Sequence, residues 1–188
     1  MEAFLVSTVA VALAEIGDKT QLLALVLAAR FRRPWPIVAG ILFATLANHT
    51  AAAWIGAWLS GWLSPEMLGW IVGGSFLAIA AWTLVPDRLE EGAGPKGRYG
   101  AFLTTLVAFF LVEIGDKTQV ATVALALKYP QTALVVAGTT LGMLLANAPA
   151  VWLGSAAAHR IPLQAVRYVA GAIFAGLGIA TLARFALA

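Results

Sequence analysis

The chain has 188 residues, of which 61% are hydrophobic and 11% charged, with a formal net charge of +3 and no cysteine. Soluble domains carry about 25% charged residues, so a chain this poor in charge cannot cover a water-facing surface, and lipid is the expected solvent. The missing thiols exclude disulfides, zinc fingers and iron–sulfur clusters, and the cations form no aromatic-interleaved stripe that would suit nucleic acid.

A helix needs roughly 20 mainly apolar residues to cross the hydrocarbon core, which is about 30 Å thick. Six stretches meet that length, at about 3–29, 35–60, 66–85, 99–127, 131–157 and 163–185. Met1-Glu2-Ala3 lacks a basic leader and runs directly into the first stretch, so no cleaved signal peptide is expected. Arg30-Phe-Arg-Arg-Pro34, Leu63-Ser-Pro65-Glu66, the segment 86–98, Lys128-Tyr-Pro130 and His159-Arg-Ile-Pro162 separate the stretches. Proline at nearly every break marks where one helix stops and the next begins. Lipid cannot satisfy exposed backbone, which requires helices here, and the runs are too long for barrel strands of about ten residues. The expected fold is therefore an all-α integral membrane protein with six transmembrane helices.

Glu15-Ile-Gly-Asp18-Lys19-Thr20-Gln21 recurs as Glu113-Ile-Gly-Asp116-Lys117-Thr118-Gln119, 98 positions later. The same offset relates Gly40 to Gly138, Trp54 to Trp152, Gly56 to Gly154, Gly73 to Gly171 and Phe76 to Phe174, while Asn48 and Asn147 stand 99 apart. Residues 1–85 thus form a first three-helix repeat, 86–98 a cytoplasmic linker, and 99–188 a second repeat. Three crossings per repeat is odd, so the second enters the membrane inverted, as in many secondary transporters. Arg30, Arg32, Arg33, Arg88, Lys96, Arg98, Arg160 and Arg167 fall on one side, against Lys128 and Arg184 on the other. The positive-inside rule then places loops 1–2, 3–4 and 5–6 in the cytoplasm and both termini outside it. The expected location is the cell (inner) membrane, crossed several times.

Four of the nine acids, Glu15, Asp18, Glu113 and Asp116, lie within the spans. Even on insertion scales a charge at the centre of a membrane helix costs about 2.5–3.5 kcal/mol, so these acids need a partner. On a continuous helix Glu15 and Asp18 would share a face at i, i+3 and Glu15 would meet Lys19 at i, i+4, with the same spacing in the second copy. Inversion can bring both faces together at the midplane. Four carboxylates and two lysines leave a charge of −2, which one divalent cation neutralises. Thr20, Gln21, Thr118, Gln119, Asn48 and Asn147 add oxygens suited to a hard cation such as Mn2+, Ca2+ or Mg2+. Lys19 and Lys117 read either as counter-ions that tune the carboxylates, the preferred reading, or as side chains that snorkel to solvent. Gly17 and Gly115 permit close approach or local unwinding of the helix. Carboxylates that bind either a metal or protons give a physical basis for exchange. Glu–Lys stapling of two helices explains one such motif but does not demand two identical copies. His49, replaced by Ala148 in the second half, reads as a packed interface residue, and Trp35, Trp62 and Trp70 as interfacial anchors. Gly138-Thr-Thr-Leu-Gly142 is accounted for by helix packing.

The duplicated Glu-Ile-Gly-Asp-Lys-Thr, one copy per half, closely resembles the signature of the MneA-type manganese exporter family, whose eukaryotic relatives are Golgi and chloroplast transporters of manganese and calcium. The resemblance covers essentially the whole chain. It implies a secondary antiporter that exports divalent metal from the cytoplasm in exchange for protons, working by alternating access. Glu15, Asp18, Glu113 and Asp116 then act as ligands, with Thr20, Gln21, Thr118 and Gln119 beside them. Its partners are the transported Mn2+ or Ca2+, protons and the bilayer, with no prosthetic group and no nucleic acid. The competing readings are a divalent-cation channel, a membrane-embedded metalloenzyme and an assembly subunit. Two near-equal acidic halves without repeated histidine argue against the last two.

Overall fold

A computed structural model describes residues 1–85, 100–153 and 163–186, which places the expected linker 86–98 and the break at 159–162 outside the described residues. The described chain is built from helices: α1 (Glu2–Glu15), α2 (Lys19–Phe31), α3 (Pro34–Ser60), α4 (Pro65–Thr83), α5 (Ala101–Glu113), α6 (Lys117–Lys128), α7 (Thr132–Leu153) and α8 (Leu163–Ala186). Local chemistry sets the ends. Pro34 and Pro65 open α3 and α4, where a missing N–H costs nothing. Ser64 caps α4 by accepting the Met67 N–H at 3.2 Å. Arg32 ends α2 in the left-handed region at φ 52, its N–H returning to the Ala28 carbonyl at 2.9 Å.

Four of these helices, α3, α4, α7 and α8, are each long and apolar enough to cross a membrane. The expected spans at 3–29 and 99–127 are not single helices. Each divides at its Glu-Ile-Gly-Asp, giving the pairs α1–α2 and α5–α6 of 12 to 14 residues apiece. At 1.5 Å per residue each member is about 20 Å long, short of the roughly 30 Å of hydrocarbon.

The halves pack on one another through matched contacts. Helix α1 lies along α7 as α5 lies along α3, α2 also meets α7 as α6 meets α3, and α4 packs against α8. The match holds at the level of residues: Gly40 sits against the Phe102 carbonyl and Thr105, and Gly138 against the Phe4 carbonyl and Ser7. Phe76 and Phe174, counterparts at the offset of 98, meet at the α4–α8 contact with ring centroids 6.1 Å apart. Without water to drive association, such interfaces rely on small residues that let backbones approach.

Polarity is arranged with charge inside and apolar bulk outside. Glu15, Asp18, Glu113, Asp116 and Lys117 are buried, whereas Leu5, Trp54, Leu111 and Ile179 are exposed. The hydroxyls of Thr8, Thr83, Thr105, Thr122 and Thr181 bond carbonyls four residues back, which satisfies them inside apolar helices.

A Cβ at Gly138 would lie 2.5 Å from the Phe4 carbonyl oxygen, while one at Gly74 meets nothing within 4 Å. Gly138→Ala is therefore expected to lower stability by about 1–3 kcal/mol through overpacking. Gly74→Ala should be neutral or stabilise by up to about 1 kcal/mol. Unfolding of the two purified variants in detergent checks the contrast.

Candidate cation site

The two motifs do not lie on continuous helix, and the i, i+3 face expected for Glu15 and Asp18 is absent. Glu15 ends α1, and Asp18 is the N-cap of α2. Between them Ile16 stands at φ −64, ψ 116 and Gly17 at φ 82, with the Asp18 N–H donating to the Glu15 carbonyl at 3.0 Å. This is a type II turn, whose third residue needs positive φ and hence glycine. Ile114 at φ −60, ψ 120, Gly115 at φ 75 and an Asp116 N–H to Glu113 carbonyl bond of 3.0 Å repeat it. Gln21 Oε1 accepts the Gly17 N–H at 3.0 Å, and Gln119 Oε1 the Gly115 N–H at 2.8 Å. In both copies the glutamine thus clamps the turn. The Gln21 amide nitrogen reaches across to the Ala146 carbonyl of α7 at 2.9 Å.

The breaks face one another, and the lysines cross between them. Lys19 Nζ lies 2.8 Å from Asp116 Oδ1, and Lys117 Nζ lies 2.8 Å from Asp18 Oδ1. Each lysine therefore pairs with the aspartate of the other half rather than with the glutamate four residues before it. The turn accounts for this, since it takes Glu15 and Lys19 out of helical i, i+4 register. Both aspartates also stand at helix N-termini, where the macrodipole favours negative charge.

Carboxylate oxygens of Glu15, Asp18 and Asp116 lie within 4.8 Å of one another, all buried. Glu113 is held differently: its oxygens accept Thr45 Oγ1 at 3.0 Å and Asn48 Nδ2 at 3.2 Å, and Asn48 also donates to the Phe110 carbonyl at 3.0 Å. On the first-motif side Thr20 donates to Glu15 Oε2, whereas Thr118 bonds Asp116 at 3.3 Å. Asn147 does not mirror Asn48; its Nδ2 stays within α7, on the Met143 carbonyl at 3.1 Å and the Met143 sulfur at 2.9 Å.

Glu15 Oε1 and Asn147 Oδ1 are among the buried side-chain atoms without a hydrogen-bond partner among the described residues. Unpaired buried acceptors are costly, and the Glu15 oxygen, within the three gathered carboxylates, fits a cation. Glu15 adds a further reason, because it stands at the C-terminal end of α1, where a helix favours positive charge. The donors are oxygens from carboxylate and amide, the set suited to a hard dication. Arg167 of α8 caps the first break from outside, 3.4 Å from the Gly17 carbonyl. His49 is fully buried beside Asn48 and bonds neither acid.

Thr45, Met143 and Arg167 were missed from the sequence. Thr45 was within reach of periodicity, because it precedes Asn48 by three residues and so shares its helix face. Met143 and Arg167 carried no comparable signal: one is an apolar residue in an apolar helix, the other one of several loop-proximal cations.

The sequence pattern of the family described as “Divalent cation/proton antiporter GDT1” matches residues 3–91 and 101–186. The chain is 48% identical over 182 residues to the “Putative manganese exporter” of Vibrio cholerae, covering 96% of this chain and 90% of that protein. It is 28% identical to a GDT1-like protein of Synechocystis, covering 93% of each. With the “GDT1-like protein 3” of Oryza sativa subsp. indica the identity is 27%, over 96% of this chain and 73% of the relative. No solved structure matches the chain.

The crossed pairs differ in exposure: the Lys117 side chain is 4% exposed and that of Lys19 26%. Removing one partner of a buried pair costs about 3–5 kcal/mol. Lys117→Met is expected to approach that loss and Lys19→Met to fall well short of it. The double variant Asp18→Asn/Lys117→Met should recover part of the loss, as read from unfolding of the purified proteins.

Proposed function

The chain belongs to the GDT1 family of divalent cation/proton antiporters, and on that premise we propose that it exports a divalent cation, Mn2+ or Ca2+, from the cytoplasm in exchange for protons. The observation that carries this is the buried gathering of Glu15, Asp18 and Asp116 from both halves, in which one Glu15 oxygen has no hydrogen-bond partner among the described residues. Its cargo is the ion itself, held by carboxylate and amide oxygens. Glu113, Asn48, Thr20 and Thr118 stand around it, Gln21 and Gln119 fix the two turns, and Lys19 and Lys117 hold the aspartates.

The same carboxylates serve both substrates. A dication neutralises them from one side of the membrane, and protons neutralise them from the other, so the empty, charged site is the costly state to carry through an apolar bundle. In this reading the chain crosses the membrane six times as two inverted halves, 1–85 and 99–188, joined by a cytoplasmic linker at 86–98, with both termini outside. The pairs α1–α2 and α5–α6 each cross together, because neither member is long enough alone. Helices broken at the site are a transporter arrangement in which half-helix ends serve the ion. An inverted pair of halves around a central site is the arrangement that alternating access uses. Among the described residues Glu15, Asp18 and Asp116 are each no more than 1% exposed, which supports a carrier's occluded site over a channel's open one. The family is one of transporters, which leaves no call for catalytic chemistry at the cluster.

Purified protein in sealed liposomes with an internal pH dye tests this. Mn2+ or Ca2+ entry should drive protons outward with membrane potential clamped, and Glu15→Gln or Glu113→Gln should reduce both signals at least about tenfold, equivalent to 1.4 kcal/mol. Metal flux that leaves pH unchanged would establish a channel, and no flux of any dication by folded protein would end the transport reading.

A further inference from the structure

Where α1 begins and α8 ends, a second group of charges stands about 20 Å along α1 from Glu15, at 1.5 Å per residue. Helices α1, α4, α6 and α8 meet there, α1 and α4 each packing against both α6 and α8. Their junction holds a cavity of about 460 Å3, within the roughly 300–1,000 Å3 of small-molecule pockets. Because α4 and α8 are each long enough to cross a membrane, the start of one beside the end of the other marks a membrane face. The cavity runs inward from that face, since Val72 on its wall lies about 10 Å along α4 from Pro65. A headgroup layer is about 5–8 Å thick on each side of the hydrocarbon, so a cavity of this depth reaches from headgroups into acyl chains.

The lining divides by polarity. Val72 and Leu127 are buried and give an apolar floor, whereas Glu2 and Arg184 are exposed and join Lys128 at the rim. Tyr129 donates its hydroxyl to Glu2 at 3.0 Å, which holds the carboxylate in place. Lys128 stands over the rings of Phe76 and Tyr129 at 5.8 and 5.4 Å, contacts that position the ammonium without neutralising it. Lys128 is within electrostatic reach of Glu2 and Arg184, yet among the described residues neither cation closes an ion pair with the acid. The repeat does not demand this set. At the offset of 98, Lys128 answers to Arg30 and Tyr129 to Phe31, and Arg30 stands over the Phe31 ring at 5.2 Å, so cation-on-ring packing is shared. Glu2, by contrast, answers to Gly100, and Phe31 has no hydroxyl to hold an acid.

We propose that this cavity binds the headgroup of a zwitterionic, amine-bearing phospholipid, with Lys128 and Arg184 on the phosphate, Glu2 on the ammonium, and the apolar floor against the start of an acyl chain. Charge-assisted bonds from arginine and lysine to phosphate are strong, and basic pockets between membrane helices suit lipid headgroups. A purely anionic headgroup would leave Glu2 without a cation to meet, and a trimethylated amine has no N–H to donate to it. A water-soluble phosphate ester would leave the apolar floor uncovered.

The test uses purified protein in detergent, stripped of co-purifying lipid. It is offered phosphatidylethanolamine mixed equally with phosphatidylglycerol or with phosphatidylcholine, and retained lipid is counted by native mass spectrometry. Wild type should retain phosphatidylethanolamine over either competitor by about two- to fivefold, the worth of one partly exposed charge pair. Glu2→Gln should abolish the preference over phosphatidylglycerol, and Lys128→Gln/Arg184→Gln should lower retention of all three lipids. Excess phosphoethanolamine, the free headgroup, should leave the lipid bound. No preference in wild type, a preference unchanged in folded Glu2→Gln, or retention unchanged in the folded double variant would overturn the proposal. Displacement by phosphoethanolamine would also overturn it and assign the cavity to a water-soluble phosphate ester.

Discussion

Two ion pairs, Lys19 with Asp116 and Lys117 with Asp18, govern how this molecule is put together. A charge in an apolar bundle must find its opposite, and here the opposite lies in the other half of the chain. That requirement forces the breaks to face one another, which in turn sets α1 along α7 and α5 along α3. The glycines at those contacts bring the backbones close enough for side chains as short as aspartate to meet lysine across the join. Packing and charge pairing thus specify a single register.

The apolar runs, the proline punctuation and the repeated motif were legible because each is a local signal, and the offset of 98 carried over into contacts as specific as Gly40 on Phe102 and Gly138 on Phe4. The division of two spans was not legible in the same way. Gly17 and Gly115 permit either close approach or local unwinding, and helical spacing of Glu15 with Lys19 offered a ready intramotif pair. Tertiary charge pairing overrode that local preference. The cue to the turn was present in hindsight as chemistry: glycine at the third position, and a glutamine four residues later to bind its N–H. The gathering of Glu15, Asp18 and Asp116 apart from the separately held Glu113 had no sequence cue, since the two motifs are identical.

Identical motifs in unequal surroundings are the more informative aspect of the site. Glu113 is held by two donors from α3, whereas Glu15 has one oxygen bonded to Thr20 and the other without a partner. Asn48 turns its nitrogen to Glu113 of the second motif, whereas Asn147 turns its own into α7. One of the donors to Glu113, Thr45, lies outside the seven-residue motif. Under the antiporter reading, one half presents hydrogen-bond donors to its glutamate while the other leaves acceptors open for an ion.

Pairing across halves also has a consequence for biogenesis. Asp18 and Lys117 are 99 positions apart in a chain made from its N-terminus. At about 5–20 residues per second, the first motif waits roughly 5–20 s at the ribosome before its partners are made. During that interval Glu15, Asp18 and Lys19 sit in the nascent α1–α4 segment before Asp116 and Lys117 are made. The crossed pairs thus form only after the second motif is made, so the first motif's acids and lysine are inserted before their partners exist.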